Sequence, residues 1–137
     1  MRFEDSPISK SINYRKGTLS FCDYYAADKF IIVEVNQGVH FDEEKLETLI
    51  EEFIDIYPPT QQLAYITNRI NNYSSDPILW NYLDNDIPVV GAAIVTYRDS
   101  TLLSANIEKH ISKISVKRAY TIEEAIGWAL RLKELQC

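Results

Sequence analysis

Hydrophobic and polar positions along this chain switch between two periods. Leu19 and Phe21 alternate with polar neighbours across residues 18–25, Ala26-Ala27-Asp28-Lys29 reads as a turn, and Phe30–Val35 is a β-branched run. Together they predict an antiparallel β-hairpin. From Asp42 the period becomes helical: Leu46, Leu49, Ile50, Phe53 and Ile56 fall on one stripe, Asp42 is a good N-cap, and Pro58-Pro59 ends the pattern. A strand follows at 62–67, then a polar segment at 67–76. Asp76-Pro77 then signals a short helix ending near Asp84-Asn85-Asp86. The stretch 88–96 is apolar almost throughout, as expected for a central strand buried on both faces.

Asp99 or Ser100 can cap a third helix carrying Leu103, Ile107, His110 or Ile111, and Ile114, and Val116–Tyr120 can supply a last strand. Thr121-Ile122-Glu123-Glu124 is a capping box opening a final helix. There Ala125, Ile126, Trp128, Ala129, Leu130, Leu132 and Leu135 cover much of the circumference, which predicts deep packing or a partner. Residues 1–16 read as an extended arm or a short first strand. The order β-β-α-β-α-β-α-β-α predicts an α/β domain: a mostly parallel sheet with helices on both faces, an N-terminal antiparallel hairpin and about four helices.

Length and charge narrow the function classes. At 137 residues the chain fits one domain with one sizeable core. Between Asp42 and Asp55, seven carboxylates face the single Lys45, which accounts for the net charge of −6. A solvated helix face explains this cluster better than a metal site, because it holds no histidine. Lys109, Lys113, Lys117 and Arg118 form a modest basic run, but the net charge argues against nucleic-acid binding. Cys22 and Cys137 make no disulfide framework. The first residues hold no apolar signal segment and no window is apolar enough to span a membrane, so a cytoplasmic location is expected.

Candidate chemistry is sparse. His40 and His110 are the two histidines, and no GxSxG, HExxH, CxxC, P-loop or GxGxxG motif occurs. The expectation is a protein without catalytic residues, cofactor or metal. The polar segment differs: Asn68, Arg69, Asn71, Asn72, Tyr73, Ser74 and Ser75 gather amide, guanidinium and hydroxyl groups where a strand ends and a helix begins. Arg69 could grip a carboxylate or phosphate, and the helix start favours an anion nearby, although Asp76 already caps it. An equal alternative is a polar loop whose side chains satisfy their own backbone.

Ile32–Val39, the acidic helix, Tyr65–Ser74 and Thr121–Trp128 together resemble the STAS/SpoIIAA-like proteins, small bacterial members in particular, across about residues 15–135. The resemblance implies a small α/β sandwich and a non-enzymatic role in binding a protein partner. It also implies a phosphorylated serine in the region of Ser74 and Ser75. Here Asp76 follows the serines instead of preceding them, and the small glycine expected after the serine is absent. A phosphate on Ser75 would meet a like charge. The leading expectation is therefore a regulatory module docking a partner through 67–76 and the following helix. The alternatives are a carrier or sensor of small apolar ligands or anions, a homodimer packed through the final helix and, last, an enzyme.

Overall fold

In the computed structural model, residues 2–58, 60–71, 73–75, 89–97 and 115–132 are described. Among them, β1 (Arg15–Thr18), β2 (Cys22–Ala26), β3 (Phe30–Val35), β5 (Leu63–Arg69), β7 (Val89–Thr96) and β8 (Ser115–Ala119) form one sheet in the order β1-β2-β3-β5-β7-β8. The first three strands are antiparallel, and β3, β5, β7 and β8 run parallel. Two short strands, β4 (His40–Phe41) and β6 (Ser74–Ser75), pair separately and in parallel. The predicted hairpin is thus β2–β3, widened by β1. The residues before β1 wind into two 3-10 turns, Phe3–Asp5 and Pro7–Ser11. Ser6 Oγ donates to the Phe3 carbonyl (2.6 Å) and Ser9 Oγ to that of Ser6 (2.7 Å), so local hydroxyls satisfy a backbone that joins no ladder.

Strand alternation sorts the core into two halves. Ile31, Val33, Tyr65, Ala92 and Ile94 face α1 (Glu43–Ile56), which buries Leu46, Leu49, Ile50 and Phe53. Phe30, Ile32, Ile66, Ala93 and Val95 face α2 (Ile122–Leu130) and the N-terminal arm. All six residues of β3 are buried, which is why that run carries no polar–apolar alternation. Asp42 caps α1 by accepting from the Lys45 N–H (3.1 Å). Thr121 caps α2 through the Glu124 N–H (3.1 Å), while the Glu124 carboxylate accepts from Tyr120 N–H (3.0 Å), one residue earlier than the usual box.

Two α-helices lie among the described residues, where about four were expected. The helices expected from Asp76 and from Asp99 or Ser100 fall outside the described residues, as do Asn72, His110, Leu135 and Cys137. The final helix also corrects the expectation of an apolar circumference: only Ile122, Ala125, Ile126 and Ala129 are buried, Trp128 and Leu132 are partly covered, and Leu130 is exposed. One face packs on the chain's own sheet, the deep packing that was one of the two expected outcomes. No helix among the described residues is long and apolar enough to cross a membrane.

The close seat of α2 depends on small residues. Between Leu63 and Ala64 the β5–β7 register shifts by one residue, after which Gly91 passes under the helix. A Cβ at Gly91 would stand 3.0 Å from Leu132 Cδ1 and 3.1 Å from Trp128 Cη2. Gly91→Val, which adds two methyl groups beyond that Cβ, should push the Leu132 and Trp128 side chains aside and cost about 1–3 kcal/mol, as overpacking usually does. Urea unfolding followed by tryptophan fluorescence measures this, and an unchanged midpoint would refute the tight seat.

Candidate functional site

Parallel strands deliver their carboxyl ends to one edge of the sheet, the usual docking edge in open α/β folds. Strand β5 reaches that edge two residues later than the sequence suggested. Asn68 and Arg69 belong to the strand, paired with Val95 and Thr96 of β7, and are not loop residues. Backbone pairing overrides their polarity, and strand alternation sends them to opposite faces. Arg69 is 7% exposed, with its guanidinium over the Tyr73 ring at 5.5 Å.

The remaining described members of the predicted set do converge. Asn71 Nδ2 donates to the Val35 carbonyl (3.0 Å), the Tyr73 hydroxyl meets Thr67 Oγ1 (2.9 Å), and Ser74 N–H donates to the Val39 carbonyl (2.9 Å). Gly38 makes the turn that permits this, with φ at +77°. Strand β6 then lies against β4, and Ser74 Oγ sits 2.7 Å from His40 Nδ1. Ser74 is exposed and Ser75 half-buried. Asn72, and the Asp76-Pro77 helix start, lie outside the described residues.

On the opposite face of the same edge lies a polar cluster that sequence reasoning missed. Glu34 is 2% exposed, on the same face of β3 as Phe30 and Ile32. Its Oε2 accepts from Phe3 N–H (2.7 Å) and from Asn68 Nδ2 (2.8 Å), and its Oε1 from the Tyr25 hydroxyl (3.2 Å). Arg2 Nε lies 3.7 Å from Oε1, and the same guanidinium bonds Asp23 and reaches the Tyr25 hydroxyl (3.4 Å). Tyr97, just past β7, donates to Asn68 Oδ1 (2.7 Å). The one available signal was a carboxylate at a core-facing position of an apolar run. Its partners come from residues 2, 3, 25 and 68, and no spacing rule joins them.

The surroundings set the charge states. Hydrogen bonds donated to the Tyr25 hydroxyl and the Asp23 carboxylate hold the Arg2 guanidinium charged still more firmly than usual. Burial raises Tyr25, and burial with the nearby charges of Glu34 and Glu123 pushes Tyr97 up to about 12. Away from the edge, burial pushes the Cys22 thiol up to about 12, which leaves it an inert core group. Among the described residues, no group of three or more His, Cys, Asp or Glu is arranged to hold a metal ion. The arrangement can accept N–H donors and cationic groups at Glu34, and it presents hydroxyl and imidazole groups at Ser74 and His40.

Glu34→Gln should cost about 1–3 kcal/mol: the amide oxygen can keep the Phe3 N–H and Asn68 Nδ2, but its NH2 then faces the Tyr25 hydroxyl and the Arg2 Nε donor, and the Arg2 guanidinium loses a carboxylate; thermal melts measure it. Tyr97 supplies a pH test. Folding raises its pKa from the usual value near 10 to about 12, so the neutral phenol belongs to the folded state. That contribution is complete below pH 10 and is lost as pH climbs toward 12. Tyr97→Phe should lower Tm at pH 8, yet lose less further stability than wild type between pH 10 and 12. Equal alkaline losses would exclude Tyr97 as a source.

Comparison with known proteins rests on shape alone. No protein-family model matches the sequence, and no curated protein matches it. Among solved structures, an uncharacterised protein of the DUF3478 family with a SpoIIAA-like fold, from Shewanella loihica PV-4, is similar. Its TM-score is 0.52 at 10% identity, over 86% of this chain and 93% of that one. At that identity the likeness establishes architecture: the chain has a SpoIIAA-like α/β fold, with a mostly parallel sheet entered through antiparallel strands.

Proposed function

We propose that this chain is a non-enzymatic, STAS-type regulatory module of the cytoplasm that binds a protein partner through the surface carrying Asn71, Tyr73, Ser74 and Ser75. One observation carries the reading: the segment is held in a fixed shape although it lies outside the main sheet. Three backbone or side-chain anchors, at Val35, Val39 and Thr67, hold it, and β4 pairs with it. A surface ordered in advance avoids much of the entropy cost of binding. Ser74 is the exposed serine of the pair, and is the proposed modification site should the module be switched by phosphorylation. A phosphoryl group there would stand beside His40.

The test is affinity capture with wild type and Ser74→Arg. Ser74 is exposed, so the substitution should lower folding stability by no more than about 1 kcal/mol, the worth of its hydrogen bond to His40. A specific co-purifying protein should be lost from the variant. Equal recovery by both forms would remove this surface from the reading.

A further inference from the structure

The cluster around Glu34 holds a piece of this chain in the way a receptor holds a peptide. The Phe3 ring is fully buried, 5.0 Å from both the Tyr14 and Tyr25 rings, and its backbone N–H lies on the Glu34 carboxylate. Beside it the Arg2 guanidinium spans Asp23, Tyr25 and Glu34. We propose that this slot is a binding site for a partner protein's segment in which an arginine precedes an aromatic residue, and that Arg2–Phe3 occupies it in cis.

Three features support exchange. First, the groups recognised are generic to such a segment: a backbone N–H, an aromatic ring and a guanidinium. Second, the arm joins no strand ladder. Its own bonds, such as Ser6 N–H to Phe3 and Ser9 N–H to Ser6, are local and leave with it. The ties that must break are those of Arg2 and Phe3, the ion pair of Glu4 with Lys16 (2.9 Å) and the packing of Ile8 and Ile12. Third, departure leaves Glu34 with the Asn68 amide and the Tyr25 hydroxyl, while Asp23, whose side chain is 18% exposed, exchanges its guanidinium for water or for the arginine of the incoming segment. Glu34 and Asn68 lie near the carboxyl ends of β3 and β5, the edge where ligands of open α/β sheets dock. It lies on the other face of the sheet from Arg69 and Tyr73, so it is a site separate from the 71–75 surface and does not depend on that reading.

A resident arm lowers the apparent affinity for a competitor in proportion to the time it is docked. The probe is a labelled peptide of residues 1–12, titrated by fluorescence anisotropy into the full chain. Phe3→Ala, which removes the resident ring, should bind it at least roughly tenfold tighter than wild type. Adding Glu34→Gln should undo that gain, and a probe peptide with its own phenylalanine changed to alanine should not bind. Should Phe3→Ala fail to fold, Arg2→Ala serves as the opened variant, since the Arg2 side chain is 41% exposed and its loss leaves no cavity. In native-state hydrogen exchange of wild type, the Phe3 amide should open well below the global unfolding free energy. Equal affinity of wild type and opened variants, or Phe3 exchange only through global unfolding, would overturn the proposal. Sedimentation separates a second source of the same arm: a monomer that binds peptide supports the proposal, whereas an arm-exchanged dimer that ignores peptide refutes it.

Discussion

The constraint on which most of this edge depends is the carboxylate of Glu34. Removing such a group from water costs several kcal/mol even after relaxation, and the cost is offset only by well-placed donors. Here the donors come from the arm, from β2 and from β5, so one side chain ties three separate parts of the chain to β3. Asn68 is buried because Glu34 needs its amide, and Tyr97 in turn occupies the amide's oxygen. Glu34, Asn68 and Tyr97 are thus linked by direct hydrogen bonds. That explains why polar residues sit at positions where the rest of the α2-side core uses Ile32, Ile66 and Val95.

What could be read from the sequence follows from which signals are local. The β-branched run at 30–35, the apolar run at 89–96 and the stripe Leu46–Ile56 are properties of short windows, and each became the expected element. The caps at Asp42 and Thr121 are signals of a few residues, and both side chains accept the expected N–H; only the return bond of Glu124 lands one residue early, on Tyr120. Asn68 and Arg69 were misplaced in a loop because their strand character comes from β7, more than twenty residues later. Glu34 was passed over for the same reason: its meaning lies in partners distant in sequence. The shared architecture with the Shewanella protein at 10% identity makes the point from outside, since patterning survives where residue identity does not.

The two polar surfaces at this edge are organised by neighbouring residues of a single strand. Thr67 and Arg69 hold Tyr73 on the α1 side, and Asn68 holds Glu34 and Tyr97 on the other. Rigidity of the strand keeps both in one frame without requiring communication between them. An energetic link would need an element with two arrangements, and a strand paired on both sides has one.

That dependence makes register the decisive variable. A one-residue slip of β5 would send Arg69 toward Glu34 and Asn68 toward Tyr73, and every apolar neighbour would change face with them. Arginine beside the carboxylate would satisfy the charge, so electrostatics alone does not forbid the slip. Packing does. Ala64 lies against the α2 side and Tyr65 against Phe53 of α1, with ring centroids 6.4 Å apart. Exchanging them would drive a tyrosine into the layer facing α2, where that helix sits against Gly91, and leave a void over α1. The shift between Leu63 and Ala64 lets β7 meet β5 in this frame, as irregularities of this kind often do at sheet positions that must be fixed. The placement of the polar site is therefore decided by the sizes of two core residues, Ala64 and Tyr65, earlier on the same strand.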